Sequence, residues 1–270
     1  MTWDCIVVGG GAAGLSAALV LGRARRRTLI IDKGEPSNRF AHGIGGLLGQ
    51  DGRAPQDFYA DGREELKRYP SVEFRHGEVV DGAPGFTLTL QDGTTETATT
   101  VILATGMDYR YPDFPGAKER WGDTAFHCPF CHGWEVRDRP LVVLDPSEFG
   151  PDRVKMLKGW SDDVTLVTET PRELRDGELV LHDGTTRPCG GLLMATRLHQ
   201  RSDLAAKLGA EAAEPGHVAE DALKLEGPAA TTAPGLFAAG DIAAVMPSAA
   251  NAIAAGSTAA AMAVHHLLVS

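Results

Sequence analysis

Apolar and polar positions alternate along the chain in blocks that predict strands separated by helices. Residues 3–8 form an apolar run rich in β-branched side chains, and apolar residues at helical spacing follow from Leu15 to Leu21. A second apolar run extends from Thr28 to Ile31. A strand, a helix and a second strand in this order are typical of a parallel βαβ unit. The N-terminal part of the chain therefore predicts an α/β fold with a parallel sheet.

Further along, the pattern predicts a second βαβ unit and a break before it. Proline interrupts the pattern at Pro112 and again at Pro115-Gly116. Because proline cannot continue a helix or a central strand, we expect the chain to pass between two domains there. The other predicted elements are a helix at 56–69, strands at 72–80, 86–91 and 99–103, a βαβ outline at 140–144, 151–160 and 163–168, a hairpin plus strand at 177–200, and a closing Ala-rich helix at 248–268.

The turn after the first predicted strand is rich in glycine. Its sequence, Gly9-Gly10-Gly11-Ala12-Ala13-Gly14, matches Gly-x-Gly-x-x-Gly between a strand and a helix. Gly9 permits the tight turn, Gly11 lets the backbone approach a pyrophosphate, and Gly14 allows close packing of the helix on the strand. The carboxylate of Asp32, after the second strand, would accept ribose hydroxyls and repel a 2′-phosphate. The motif predicts a dinucleotide site, with a glycine-rich turn that binds no ligand as the alternative.

The corresponding turn of the second βαβ unit runs from Asp145 to Pro151 and lacks these features. Its sequence, Asp-Pro-Ser-Glu-Phe-Gly-Pro, holds two carboxylates and two prolines. The carboxylates would repel a pyrophosphate, and each proline removes an N–H donor. Glu169 follows the next strand, where a pair of arginines would hold a 2′-phosphate. We therefore expect the fold of a nucleotide-binding module without a working site.

A cysteine pair at Cys-x-x-Cys spacing, Cys128 and Cys131, lies between His127 and His132. Two cysteines at this spacing can close a reversible disulfide, and a histidine beside them is a proton acceptor that titrates near neutral pH. We expect both cysteines to be redox-active, with His132 or His127 as the base. The alternatives are a zinc half-site or inert core cysteines for the pair, and a structural role at a helix start for His132.

Composition limits the classes of partner. The chain has 26 basic and 36 acidic residues, a formal net charge of -10, so there is no basic surplus for binding nucleic acid. The N-terminus enters a strand at once, and we expect neither a signal peptide nor an apolar run of membrane-spanning length. Four cysteines do not form a secreted disulfide framework, and we expect Cys5 and Cys189 to be structural. These features predict a cytoplasmic protein without a membrane partner or a bound metal.

Three dispersed motifs and the cysteine pair together carry a family resemblance over nearly the whole chain. The motifs are the glycine-rich turn with Asp32, Ala104-Thr105-Gly106, and Gly235-Leu236-Phe237-Ala238-Ala239-Gly240-Asp241. With Cys128-Pro129-Phe130-Cys131-His132 between them, the chain resembles the low-molecular-weight thioredoxin reductase-like flavoproteins. The resemblance implies a Rossmann-like, two-domain pyridine nucleotide-disulfide oxidoreductase fold.

The resemblance also implies a domain organisation and a set of FAD contacts. Residues 1–113 and 231–270 would form a discontinuous FAD domain, and 114–230 a middle domain with a reduced NADPH-type fold and the dithiol. The implied FAD contacts are Gly9, Gly11, Ala13, Gly14, Asp32, Lys33, Asn38, Arg39, Val79, Ala104, Thr105, Gly106, Gly240, Asp241 and Ala249.

Within this family, Cys-x-x-Cys-His in place of Cys-x-x-Cys-Asp resembles the branch of dithiol oxidases. These enzymes close disulfides in microbial natural products such as gliotoxin and holomycin, and they reoxidise FAD with O2. The missing second nucleotide site fits an oxidase, since a dithiol supplies the electrons. A further departure from thioredoxin reductases is Pro247-Ser248-Ala249-Ala250, which stands where those enzymes carry an Arg-Gln pair.

The resemblance implies that a substrate thiolate attacks Cys128 and that Cys131, placed against the flavin, passes the electron pair to FAD. O2 then takes the pair and yields hydrogen peroxide. The implied partners are a small-molecule or peptide dithiol, O2 and a second copy of the chain in a homodimer. Two alternatives stay open: a disulfide reductase supplied by ferredoxin or another donor than NADPH, and a flavin-bound redox sensor.

Overall fold

A computed structural model describes residues 2–244 and 246–269 and divides the chain into two compact units. Unit 1 comprises the residues up to Ser37, Gln56–Tyr109, and the residues from Leu198 onward. Unit 2 comprises Asn38–Pro55 and Arg110–Arg197. The α/β, two-unit architecture expected from the family resemblance is confirmed.

The described residues form sixteen strands, seven α-helices and one short 3-10 helix at Asp241–Ala243. The strands are β1 Trp3–Val8, β2 Thr28–Asp32, β3 Val72–His76, β4 Val79–Ala83, β5 Thr87–Leu90, β6 Thr95–Leu103, β7 Asp108–Arg110, β8 Ala125–Phe126, β9 Leu141–Leu144, β10 Val164–Val167, β11 Glu173–Arg175, β12 Glu178–Val180, β13 Thr186–Pro188, β14 Gly191–Met194, β15 Arg197–His199 and β16 Leu236–Ala238. The helices are α1 Ala12–Arg23, α2 Pro55–Leu66, α3 Ala117–Arg120, α4 Pro129–His132, α5 Gly150–Leu157, α6 Leu204–Lys207 and α7 Ala249–Val269.

Unit 1 is built on one sheet of order β3-β2-β1-β6-β5-β4, with β16 paired to the last part of β6. β3, β2, β1, β6 and β16 are parallel, whereas β5 and β4 add an antiparallel edge. The chain runs from β1 to β2 on one side, and β6 fills the other side. Ligands of such sheets bind beyond the carboxyl ends of the strands where the order reverses, which here is beside β1.

Alternate residues of the unit 1 strands enter two cores, one on each face of the sheet. Ile6 and Val8 face one core, and Val7 faces the other together with α1 and α7. The strand pattern read from the sequence thus corresponds to a sheet that is buried on both faces.

The boundaries of the two units differ from the predicted domains at two places. The chain returns to unit 1 at Leu198 instead of residue 231, because Leu198, Leu204 and Leu208 are buried in the same core as Ile6. Asn38–Pro55 belongs to unit 2, where a side chain at Gly45 would overlap the backbone of Cys131. Both corrections come from contacts between residues that are distant in sequence.

Helix α7 also departs from expectation, since an 18-residue stretch within its 21 residues has a mean hydropathy of 1.5, and the helix meets the length and composition of a membrane span. The expectation that no apolar run is so long was therefore wrong. The buried face of α7 is made of Gly256, Ala259, Ala260 and Ala263, and it packs in the core that holds α1. Packing of this kind is that of a helix covering the sheet of an α/β domain.

Unit 2 holds a parallel sheet of order β10-β9-β14-β8 and a separate antiparallel sheet of β11, β12 and β13. β9, α5 and β10 form the βαβ unit predicted from the sequence, with α5 ending at Leu157, three residues before the predicted end. The four residues of β9 are all buried.

Candidate functional site

Cys128 and Cys131 form a disulfide at the start of the short helix α4, with their Cα atoms 5.3 Å apart. Pro129 opens the helix, where its fixed φ is favourable and its missing N–H is not needed. The carbonyl oxygen of Cys128 accepts hydrogen bonds from the N–H groups of Cys131 and His132, both at 3.2 Å. This turn brings together the two sulfur atoms that the sequence spacing singles out.

His132 has one ring nitrogen bonded and one free of protein partners among the described residues. Nε2 lies 3.2 Å from the carbonyl oxygen of Gly122. Because a carbonyl can only accept, Nε2 carries the proton, and Nδ1 keeps its lone pair. Nδ1 is buried and has no hydrogen-bond partner there. His132 is thus a proton acceptor with a vacant acceptor position.

Burial lowers the pKa of His132, and the hydrogen bond to Gly122 opposes the shift without cancelling it. The expectation that this imidazole titrates near its free value is therefore corrected. His132 is neutral at neutral pH, so it stands ready as a base, but its protonated form is disfavoured by the apolar surroundings.

His127 is also held neutral. Burial lowers the pKa of His127 to about 4, and the protonated form of His132 and the positive charge of Arg153 act in the same direction. Its ring stacks on Trp121 at a centroid distance of 5.7 Å, and Trp121 stacks on Tyr111 at 4.1 Å. Both histidines beside the disulfide are therefore neutral at neutral pH.

Exposed apolar side chains accompany the disulfide in unit 2. Phe130, between the cysteines, is 72% exposed, and Trp134 is 66% exposed. In the loop 38–55, Phe40 and Leu48 are exposed as well. This loop touches the disulfide segment through Gly45, since a Cβ there would overlap the carbonyl oxygen of Cys131. Apolar surface is thus available beside the reactive sulfurs.

The glycine-rich turn in unit 1 has the geometry expected of a phosphate cradle. Gly9 has φ +104° and a side chain there would overlap the Ala104 carbonyl, so only glycine fits. A side chain at Gly14 would likewise overlap the carbonyl of Gly9. At Gly11, by contrast, no atom lies within 4 Å of the position that a Cβ would take, and the helix that begins there has no side-chain cap. The free N–H groups of α1 therefore face open space.

Asp32 and Gly240 border this turn from two sides. The N–H of Gly10 donates to Oδ1 of Asp32 at 2.9 Å, which leaves the other carboxylate oxygen for a ligand. A Cβ at Gly240 would lie 3.0 Å from the Cβ of Ala13 on α1. The structure thus brings Gly9, Gly11, Ala13, Gly14, Asp32, Ala104 and Gly240 to one place at the carboxyl end of β1.

Asp241 lies at the start of the 3-10 helix, beside a cavity of about 310 Å³. The cavity is lined mainly by Ala, Gly and Ser and includes residues of the first turn of α7, which begins at Ala249. The hydroxyl of Tyr109 donates to Oδ2 of Asp241 at 3.0 Å. Sequence reasoning missed Tyr109, although it follows Gly106 closely in the chain.

The remaining residues implied to contact FAD lie on the surface, on β4, after β6 and in unit 2. Lys33 is ion-paired with Glu78 at 3.0 Å on the surface. Val79 is buried on β4, shortly after Gly77, whose N–H donates to the Asp32 carbonyl. Thr105 and Gly106 follow β6, and Gly106 has φ +65°. The two contacts not assigned to unit 1 are Asn38 and Arg39, which belong to unit 2.

These observations fit a flavin dinucleotide. The uncapped α1 N-terminus, the open space at Gly11 and the carboxylate of Asp32 match a pyrophosphate and a ribose. Of the residues in this set, those in unit 1 would hold the cofactor. FAD would supply a two-electron acceptor at this place.

The turn after β9 does not offer a second cradle. Oδ1 of Asp145 accepts the N–H of Ser147 at 2.8 Å, and Oδ2 lies 3.1 Å from Nε of Arg153. The hydroxyl of Ser147 then accepts the N–H of Phe149 at 3.3 Å. Donors that a pyrophosphate would need are thus bonded within the turn, around a fully buried carboxylate.

Comparison with known proteins gives one family and several relatives. The family model for pyridine nucleotide-disulphide oxidoreductases matches residues 3–176. A probable thioredoxin reductase of Arthroderma benhamiae is 35% identical over 184 residues, which cover 64% of this chain and 46% of that protein. The chain spans about half the length of the first curated relatives it matches.

Solved structures match a larger share of this chain than the Arthroderma benhamiae relative does. An oxidoreductase from Agrobacterium tumefaciens superimposes with a TM-score of 0.93 and 36% identity, over 99% of both chains. HlmI superimposes with a TM-score of 0.91 and 32% identity, over 99% of this chain and 93% of HlmI. The resemblance to thioredoxin reductase-like proteins is thereby confirmed. The chain belongs to the pyridine nucleotide-disulphide oxidoreductase family.

Proposed function

We propose that this protein is an FAD-dependent dithiol oxidase that converts a small-molecule or peptide dithiol into a disulfide and gives its electrons to O2. The observation that carries the proposal is the self-bonded turn from Asp145 to Pro151. In this chain, N–H groups that would bind a nicotinamide dinucleotide are bonded within the turn, whereas the disulfide and the FAD-type glycine turn are kept. The enzyme then needs an electron donor other than a nicotinamide. A dithiol substrate is that donor.

The first step transfers a proton and opens the enzyme disulfide. Nδ1 of neutral His132 takes the proton of a substrate thiol. The thiolate attacks Sγ of Cys128, a mixed disulfide forms, and Cys131 leaves as a thiolate. The second substrate thiol gives its proton to the Cys131 thiolate and, as a thiolate, attacks the substrate sulfur of the mixed disulfide. Cys128 is displaced as a thiolate and takes the proton held by His132. The product leaves as a disulfide, and the enzyme holds one electron pair as a dithiol.

The enzyme dithiol gives up its electron pair and two protons; FAD, when bound, would supply the two-electron acceptor that links this step to the reduction of O2 to hydrogen peroxide. The residues proposed to hold FAD are Gly9, Gly11, Gly14, Asp32 and Asp241. The dithiol of Cys128 and Cys131 is reclosed to the disulfide as the pair leaves, so the enzyme returns to its starting state.

The surroundings of the disulfide support a substrate with apolar surface. His127 and His132 are neutral, since burial lowers the pKa of each. Phe130 and Trp134 offer exposed apolar surface on which a small molecule or a peptide could pack. A natural-product dithiol has this character. A cytoplasmic location and a homodimer are further parts of the proposal.

A disulfide reductase is the second candidate, because the Arthroderma benhamiae relative is named a probable thioredoxin reductase. In this direction, electrons would enter from ferredoxin or another donor and leave through Cys128. Anaerobic mixing with reduced ferredoxin separates the two: rapid loss of flavin absorbance would favour the reductase.

Replacement of either cysteine tests the proposal. We expect Cys128→Ser and Cys131→Ser to lower dithiothreitol-dependent oxygen uptake by about a hundredfold or more, since each is needed for the disulfide. Cys189→Ala is the matched control, because that thiol is buried in the core of unit 2 and its pKa is raised by burial to about 12. Full oxygen uptake by either serine variant would refute the mechanism.

A further inference from the structure

The guanidinium of Arg201, in unit 1, contacts residues at or near the ends of the other two segments of that unit. Nη1 of Arg201 donates to the carbonyl of Glu35 at 2.8 Å, and Nη2 donates to the hydroxyl of Ser37 at 3.3 Å. Nη2 also lies 3.5 Å from the carbonyl of Met107, and Nε lies 3.4 Å from Oδ1 of Asp108. Ser37 and Tyr109 end two segments of unit 1, and Leu198 begins the third, so Arg201 ties all three together.

The positive charge of the Arg201 guanidinium also acts on the carboxylate of Asp241. Burial raises the pKa of Asp241, whereas hydrogen bonds from Tyr109 and Ser37 and the positive charge of Arg201 lower it. The Ser37 hydroxyl accepts from Nη2 of Arg201 and lies 3.4 Å from the carbonyl oxygen of Met107, and the Tyr109 hydroxyl donates to Oδ2 of Asp241. The net effect is a raised pKa, so the two neighbouring hydroxyls and the nearby guanidinium offset only part of the effect of burial on this carboxylate.

Gly106 also lies close to Ser37 and Arg201. A Cβ there would lie 3.1 Å from the hydroxyl of Ser37 and 3.9 Å from the guanidinium carbon of Arg201. Gly106 and Asp241 follow β6 and β16, which are paired parallel neighbours. Both residues therefore lie beyond the carboxyl ends of their strands, on the edge of the sheet where ligands of this architecture bind.

We propose that Arg201, Ser37 and Tyr109 are positioning residues that hold the Asp241 carboxylate in the geometry that binds FAD. The proposal rests on the proposed function only in taking FAD as the cofactor. Arg201 fixes the backbone from Met107 and the Ser37 hydroxyl, and Ser37 and Tyr109 orient the carboxylate. None of these three side chains is required to touch the cofactor.

Titration of the apoprotein with FAD, followed by flavin fluorescence, tests the proposal without turnover. We expect Arg201→Met to weaken FAD binding about tenfold or more, since a charged donor to several acceptors is lost. Tyr109→Phe removes one hydroxyl and should weaken binding several-fold. Arg201→Lys keeps the charge but loses the fork of donors, so its affinity should fall between wild type and Arg201→Met.

Lys207→Met is the matched control, because Lys207 is also a cation of unit 1, ion-paired with Asp81 at 2.9 Å and Asp203 at 3.2 Å on the surface. Its FAD affinity should stay within about twofold of wild type, as expected for exposed ion pairs. Thermal unfolding of each apoprotein reports folding separately. If Arg201→Met does not fold, the FAD affinities of Tyr109→Phe and Arg201→Lys are compared with that of the wild type instead.

A double-mutant cycle with Asp241→Asn distinguishes positioning from general support of the fold. If Arg201 acts through Asp241, Arg201→Met should cost less than about twofold once Asp241 is already Asn. Additive losses, or wild-type affinity in Arg201→Met and Tyr109→Phe, would overturn the positioning role while leaving the oxidase proposal intact. A wild-type apoprotein that binds no FAD would overturn both.

Discussion

At the scale of single residues, the protonation state of His132 is set by its surroundings. A histidine that follows a Cys-x-x-Cys pair suggests an acid–base group working near its free pKa. Burial lowers the pKa of His132, and its hydrogen bond to Gly122 fixes the proton on Nε2. In the proposed reaction His132 is therefore a neutral base that accepts through Nδ1, at all but acidic pH.

The pH dependence of kcat/KM follows from this state. Because a lowered pKa keeps the basic form populated to more acidic pH, wild-type kcat/KM should fall on the acid side only below the usual histidine range. His132→Gln should lose about a hundredfold in kcat/KM and should then rise with pH, since solvent must take the thiol proton. Steady-state oxygen uptake across pH measures both effects.

His182→Gln is the control for that profile, because His182 is an exposed histidine of unit 2. It should reproduce the wild-type curve. An acid limb in the ordinary histidine range that survives unchanged in His132→Gln would show that another group is the base.

At the scale of elements, the cofactor cradle depends on the packing of α7 on α1. A side chain at Gly256 would overlap the carbonyl oxygen of Ala13, in the first turn of α1, whose N–H groups face the proposed pyrophosphate. Ala259, Ala260 and Ala263 continue the same buried face. Small residues let the two helices approach closely, and this approach sets the position of the α1 N-terminus.

Gly256→Ala tests this packing. Since backbone atoms block the new methyl group, the helices must separate, and we expect a loss of about 1 to 3 kcal/mol in the free energy of unfolding. FAD affinity should fall as well. Urea unfolding of the apoprotein measures the first effect. Ser257→Ala, an exposed change on the same helix, should leave stability nearly unaltered; equal stability of the two variants would contradict close packing here.

Elements defined by local sequence could be predicted well. The β1 strand, its glycine turn, α1 and β2 follow from residues 3–32, because apolar periodicity and glycine positions are local signals. The cysteine pair is equally local. Arg201 gave no such signal, since its partners Glu35, Ser37 and Met107 are 94 to 166 residues away.

The return of the chain to unit 1 at Leu198 was misplaced for a related reason. Residues between Leu198 and Thr231 form the short helix α6 and single β-bridges such as Leu198 with Ala219 and Leu225 with Thr231. Such segments show little periodicity, so their membership in a core is decided by tertiary contacts. The burial of Leu204, Leu208 and Leu223 becomes visible only in the folded chain.

At the scale of the whole molecule, the chain has two strand–turn–helix segments of the same topology. The turn in unit 1 has space for a nucleotide, and the turn in unit 2 is filled by its own hydrogen bonds. The cradle in unit 1 has free N–H groups and open space at Gly11. In unit 2, Asp145 and Ser147 take the donors of the equivalent turn. The proposed function therefore takes no electrons from a nicotinamide at this turn, and its direction runs from a dithiol, through Cys128, to the flavin and O2.

Anaerobic stopped-flow absorbance of the flavin tests this direction most directly. The oxidase proposal predicts that a dithiol bleaches the flavin of the wild-type protein, that NADPH and NADH do not, and that added O2 restores the absorbance with one hydrogen peroxide formed per flavin. Rapid bleaching by NADPH or NADH, with no bleaching by dithiols, would contradict it.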